Sequence, residues 1–141
     1  MKREVKLKIK GTQGIGTPEQ DSTTISVSGH MMESGDLKTI LYQEYPEEEP
    51  SRVTRNILKI REDSVEITKK GVTNSRLHFC VGKDTESVYE TPFGTFHMKT
   101  KNVDLKHRHT QEKIHVQLMY DLEMNEAYVS HCQVEIVVKE A

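Results

Sequence analysis

From Ile114 to Val138 apolar residues recur at every second position, Ser130 apart, on both sides of a short Asn125-Glu126-Ala127 connection. Laying Met124 against Tyr128 pairs Tyr120 with Cys132, Leu118 with Val134, Val116 with Ile136 and Ile114 with Val138, all on one face. The other face carries His115, Gln117, Met119, Asp121 and Glu123 against Val137, Glu135, Gln133, His131 and Val129, so that Asp121 lies across from His131. A slip of one residue would turn the whole apolar row into water, which makes this antiparallel register strongly specified.

The same period of two recurs upstream. Val5, Leu7 and Ile9 alternate with Lys6, Lys8 and Lys10, the pattern of a strand with one wet face. Thr23 to Met32 follows, and Ser34-Gly35-Asp36 turns the chain into Leu37 to Tyr45, with the register of residues 22–45 left open. Val53 to Arg61 folds back through Arg61 to Ser64 onto Ser64 to Lys70, which sets Ile60 opposite Val65, Leu58 opposite Ile67 and Lys59 opposite Glu66. Asn74 to Gly82 is expected to turn Leu77, Phe79 and Val81 inward and Arg76, His78 and Cys80 outward. Val88 to Thr91 and Gly94 to Thr100 flank Pro92, which cannot donate to a ladder and marks a corner or an edge. His107-Arg108-His109 reads as a polar loop, as do Gly11 to Gln20 and the acidic Pro46 to Pro50.

Composition agrees with strands. The chain holds 13 Val, 9 Ile and 13 Thr against 2 Ala, and β-branched side chains pack well on a pleated surface. Its 141 residues fit one domain, 1–141, with a lean core, since 34% of residues are apolar and 30% charged. The expected fold is all-β, a single antiparallel β-barrel of about 8–10 strands, wide enough for side chains or one small ligand. A two-sheet sandwich is the alternative. Apolar runs are too short for a transmembrane helix, and Met1-Lys2-Arg3 leads into alternation rather than an apolar signal region, so neither membrane nor export is expected. A net charge of -2 argues against a nucleic-acid binder. Cys80 and Cys132 are then expected as free thiols of a cytoplasmic protein.

Tyr89-Glu-Thr-Pro-Phe-Gly-Thr-Phe-His-Met98, with Leu41-Tyr-Gln-Glu44 and Gly71-Val-Thr-Asn-Ser-Arg76, resembles the YwiB-like family of small bacterial proteins. The resemblance runs over essentially the whole chain and is most specific at Thr91-Pro-Phe-Gly94. It implies a calycin-like barrel of lipocalin-like architecture and ligand binding, and no reaction. In the last hairpin Asn125-Glu126 stands where a glycine-containing turn is expected.

Continuing the inward parity of Leu58 and Ile60 backwards sets Asn56, Thr54 and Arg52 on the inner wall. If the neighbouring strand turns Tyr42 and Glu44 the same way, Glu44 meets Arg52 near the acidic loop, a polar end that could fix a ligand's orientation. Without a ligand, Arg52 would simply close the barrel end as an ion pair. Tyr89 and Thr91, beside Pro92 and Gly94, form a second candidate as one lip of a barrel mouth, or a corner needed for geometry alone. Tyr120 adds inward polarity with Tyr128, Ser130 and Cys132. The Asp121 and His131 pair looks like a carboxylate orienting an imidazole, but Ser130 and Cys132 point to the other face and nucleophilic catalysis needs all three on one side. Neither His107-Arg-His109 nor the Gly11 to Gly16 segment carries the partners that a metal or phosphate site requires, so no metal and no cofactor are expected.

These readings favour a non-enzymatic barrel that holds a small amphiphilic ligand inside, bound through Tyr42, Glu44, Arg52, Thr54, Asn56, Tyr89, Thr91 and Tyr120. The alternative is an interaction or self-association module, a homodimer for instance, with a filled core and outward Ile57, Met119, Val129 and Val137.

Overall fold

The structure is a computed structural model that describes residues 2–45, 51–71 and 73–141. The acidic Pro46 to Pro50 segment, expected as a loop, lies outside the described residues, as does Val72 of one of the motifs above. Ten strands follow in order: β1 (Lys2–Gln13), β2 (Asp21–Ser34), β3 (Leu37–Glu44), β4 (Thr54–Ile60), β5 (Ser64–Lys70), β6 (Asn74–Cys80), β7 (Thr85–Thr91), β8 (Gly94–His109), β9 (Lys113–Met124) and β10 (Ala127–Glu140). Each pairs antiparallel with the next, and β10 returns to β1 with Val5 opposite Glu140 and Ile9 opposite Ile136, closing the barrel. No helix is long and apolar enough to cross a membrane.

The registers read from alternation hold over most of the wall. Ile60 faces Val65, Leu58 faces Ile67 and Lys59 faces Glu66. From Ser130 to Val138 the last hairpin pairs as expected, with Cys132 opposite Tyr120 and Ile136 opposite Val116. Its tip differs. Ala127 pairs with Met124, the turn is the two residues Asn125 and Glu126, and a bulge between Tyr128 and Ser130 absorbs the offset. Both turn residues have positive φ, 50° and 69°, as a type I′ turn demands of a tight hairpin. The expected glycine is replaced by two residues held in left-handed backbone.

Two further expectations are corrected. Val81 is exposed in the turn after β6 rather than facing inward, because the strand ends at Cys80. His107-Arg108-His109 is not a loop but the end of the sixteen-residue β8, where Leu105 opposes Leu118 and His107 opposes Val116. A bulge between Lys101 and Asp104, with Asn102 at φ 53°, resets the inward parity from Met98 and Thr100 to Val103 and Leu105. That reset hides the alternation from a sequence reading.

The two ends of the barrel interior differ. Through the lower and middle interior Val5, Leu7, Met31, Ile40, Leu58, Ile60, Val65, Phe79, Val116, Leu118, Ile136 and Val138 are buried and form one apolar cluster that also takes in Tyr42, Tyr120 and Cys132. His107 closes the lower end, its Nε2 2.8 Å from the carbonyl of Glu62 in the β4–β5 turn. Toward the upper end the inward positions become polar and only half-buried, among them Glu44, Thr54, Lys69, Tyr89 and Ser130.

The wall is weak at two seams. The β2–β3 ladder stops at Gly29 and Tyr42, although both strands continue upward. A Cβ at Gly29 would sit 2.7 Å from the carbonyl oxygen of Leu41, so this close approach of two backbones needs glycine. At the second seam β6 and β7 share only Asn74–Glu90 and Ser75–Tyr89. Below those pairs the hydroxyls of Thr85 and Thr100 both donate to the His78 carbonyl, the latter over 3.1 Å, and replace the missing ladder bonds.

Candidate functional site

The polar end of the interior is built by register. Tyr42 of β3 is the direct partner of Asn56 on β4, Glu44 is the partner of Thr54, and Asn56 in turn faces Lys69 on β5. Inward parity therefore gathers Tyr42, Glu44, Thr54, Asn56 and Lys69 on three adjacent strands. Tyr42 and Asn56 are buried, whereas Glu44, Thr54 and Lys69 are half-buried at the rim.

Lys69 is the residue the sequence reading overlooked. Its Nζ lies 2.7 Å from Oε1 of Glu44, taking the place expected for Arg52. Arg52 is exposed and precedes β4. The signal for Lys69 was present: Leu58 opposite Ile67 extends two residues to Asn56 opposite Lys69. Both members of the Glu44–Lys69 pair keep some water contact, so the pair neutralises charge at the rim more than it stabilises the fold.

Asn56 stands out chemically. It is 2% exposed, and its Oδ1 is the one enclosed side-chain polar atom among the described residues without a hydrogen-bond partner. Its Nδ2 donates to the Thr54 carbonyl over a long 3.4 Å. An enclosed amide oxygen without a donor costs about 1–3 kcal/mol. Beside it the Tyr42 phenol is pushed upward in pKa by burial and then by the Glu44 carboxylate, so it is a neutral hydroxyl at physiological pH.

Tyr42 and Asn56 line a cavity of about 1010 Å³ with residues from both faces of the wall. Val5, Val27 and Gly29 belong to inward positions, while Leu41, Gln43, Arg55, Ile57, Thr68 and Lys70 belong to outward ones. The cavity passes the point where the β2–β3 ladder ends at Gly29 and Tyr42, and most of its lining belongs to the outer face.

The other sequence candidates sit elsewhere in the wall. Tyr89 is half-buried between Ser75 and Phe96. The Thr91 hydroxyl is occupied in the β7–β8 corner, where it accepts from the Phe93 N–H at 3.1 Å and donates to the Gly94 carbonyl at 3.0 Å. Tyr120 is buried in the core, its ring 4.7 Å from that of Phe79, with its phenol pKa raised by burial and by Cys132. The structure thus brings Tyr42, Glu44, Thr54 and Asn56 into one patch and leaves Tyr89, Thr91 and Tyr120 on later strands.

On the outer face His131 Nδ1 lies 2.8 Å from Asp121 Oδ1, and Asn102 Nδ2 donates to Asp121 Oδ2 at 2.9 Å. These contacts hold the Asp121 carboxyl below its usual pKa, Asn102 contributing most. Ser130 and Cys132 contact each other at 3.0 Å and belong to the interior and its rim, so no nucleophile joins the pair. His107 and His109 share a hydrogen bond of 3.3 Å, and among the described residues no three His, Cys, Asp or Glu side chains gather as a metal-holding group. Both cysteines are free thiols.

Comparison with known proteins bears on the family. A family model described as a domain of unknown function, DUF1934, matches residues 7–136. No curated protein matches the sequence. Among solved structures, the crystal structure of the ywiB protein from Bacillus subtilis superposes with a TM-score of 0.77 at 16% identity, covering 99% of this chain and 93% of that one. At that identity the likeness establishes a shared barrel and nothing about activity. With the family model spanning nearly the whole barrel and the fold shared end to end, this chain belongs to the YwiB-like family of DUF1934 domains.

Proposed function

We propose that this protein is a cytoplasmic calycin-type barrel that binds a small amphiphilic molecule at its polar upper end. The observation that carries the reading is the enclosed, unpartnered amide oxygen of Asn56 in the wall of the 1010 Å³ cavity. A leucine of similar size would remove that cost at once, so the asparagine makes sense if a ligand meets it. Tyr42 and Asn56, which line the cavity, then supply the polar contacts, with Glu44, Thr54 and Lys69 beside them in the register and Arg52 toward the rim. Tyr89, Thr91 and Tyr120 are not among the residues that line it. Val5 and Val27, which line the same cavity from the inner face, supply apolar burial, the usual division of labour in a small-molecule site. The reading assigns sequestration and no reaction.

Native mass spectrometry of the protein purified from its own cells tests this. A mass increment that disappears on denaturation is expected, whereas a bare polypeptide mass from fresh preparations would remove the proposal.

A second reading has its own support. Phe93 is 96% exposed at the β7–β8 tip, and Val88 of β7 and Tyr128 and Val129 of β10 are exposed as well. Exposed apolar side chains of this kind suit self-association. Size-exclusion chromatography with light scattering should then give a dimer mass that Phe93→Ser returns to monomer; a monomeric wild type excludes it.

A further inference from the structure

A closed barrel hides its strand edges by pairing each strand on both sides, and in this wall one edge stays open. β2 pairs with β1 from Asp21 to Met32, but its ladder to β3 covers only Gly29 to Ser34. From Asp21 to Ser28, alternate residues therefore direct both N–H and C=O into the fork between β2 and β3. No ladder pair between described residues bridges that fork. The β6–β7 seam, by contrast, is mended by the Thr85 and Thr100 hydroxyls on the His78 carbonyl. The open stretch also lacks the devices that blunt an edge, since Ser22 to Ser28 holds no charge and no proline and pairs with β1 without a bulge.

Its surroundings define the kind of strand that fits. On the outer face Lys6, Lys8 and Lys10 of β1 stand directly opposite Ser28, Ser26 and Thr24. Across the fork Arg55 of β4 and Lys70 of β5 oppose each other and line the groove. All five are exposed, and none makes an ion pair with a described residue. The nearby carboxylates are Glu135, opposite Lys10, and Glu4 toward the lower end of the groove. A chain of net charge -2 thus gathers cations around its open edge. On the inner face of the same stretch Ile25 and Val27 are only half-buried.

We infer that the β2 edge from Asp21 to Ser28 accepts an extended acidic peptide of a partner protein as an added strand. The peptide backbone completes the ladder, alternate apolar side chains cover Ile25 and Val27, and the intervening carboxylates lie between the β1 lysines and the Arg55 and Lys70 pair. This inference is independent of the small-molecule reading. A second copy of the chain fits less well, because pairing β2 with β2 would join two lysine-bearing faces in one sheet with only hydroxyls between them.

Three capped octapeptides test it by protein-observed NMR on the full chain. One alternates valine with glutamate, one alternates valine with lysine, and the third is the glutamate peptide N-methylated throughout, which keeps the charge and removes every backbone donor. The first should bind about tenfold more tightly than either of the others, the scale of a few exposed charge pairs or of a lost ladder. It should also slow the exchange of alternate amides within Ser22 to Ser28, which exchange fast in the free protein. Lys8→Glu combined with Arg55→Glu, both at exposed positions, should bring its affinity down to that of the lysine peptide. The comparison of the three peptides stands alone should that variant fail to fold. Equal binding by the N-methylated peptide, or binding of none of the three, would overturn the inference. So would slow exchange of the same amides in the free protein, which would show the edge already covered, or protection that grows with protein concentration, which would assign the edge to a second copy.

Discussion

Asp121 shows how much a single side chain on the wet face can depend on backbone irregularity. Its carboxylate is held by Asn102, which reaches it only because the β8 bulge puts that residue at φ 53°, and by His131 across the ladder. Alternation in the last hairpin was enough to place Asp121 beside His131, but the bulge that delivers Asn102 leaves no periodic trace. Because these contacts depress the folded-state pKa, the stability they confer is complete above about pH 4 and is lost as pH falls through the lower folded value. Asp121→Asn should therefore lower the midpoint of urea unfolding at pH 7 and flatten its decline at acid pH; parallel pH profiles for variant and wild type would contradict this. Asn56 was legible in part. Parity set it inside with Tyr42, while its missing donor is a property of three-dimensional enclosure and has no signature in spacing.

At the scale of elements, strands were legible wherever one face is apolar, and misread where a bulge or a tight turn changes the count. The β9–β10 tip is an example. Three connecting residues satisfied the pattern, yet the chain uses two, with Glu126 at φ 69° in backbone that a side chain disfavours. Glu126→Gly should stabilise the protein by about 1 kcal/mol, read as a rise of a few degrees in Tm. A fall in Tm would mean that the turn relaxes in solution. The β6–β7 seam makes the opposite case, since the side chains that mend it look like ordinary strand threonines in the sequence. Thr100 is buried, and its hydroxyl donates to the His78 carbonyl alongside that of Thr85. Thr100→Val keeps the shape and removes the donor, and should cost about 1 kcal/mol in denaturant unfolding. No change would assign the seam to Thr85 alone.

For the whole molecule, the consequence of closing ten strands into one meander is an interior with two characters, an apolar lower part that holds the barrel together and a polar, half-buried upper end. Closure was foreseen from strand number and the need to hide edges, but the division came into view only when Lys69, Glu44 and Asn56 met on adjacent strands. Hydrogen exchange should follow it. Amides of Glu86 to Val88, which lack ladder partners on the β6 side, are expected to exchange well ahead of those of Ile114 to Leu118 on β9. Uniform protection around the wall would deny the seam. The central claim is that Asn56 serves a ligand rather than the fold, and it is tested most directly by urea unfolding of Asn56→Leu without added ligand. The account predicts a variant more stable than wild type by about 1–2 kcal/mol, because an enclosed acceptor without a donor has been removed. A loss of stability of similar size would show Asn56 to be structural, and the binding site argued from it would go with it.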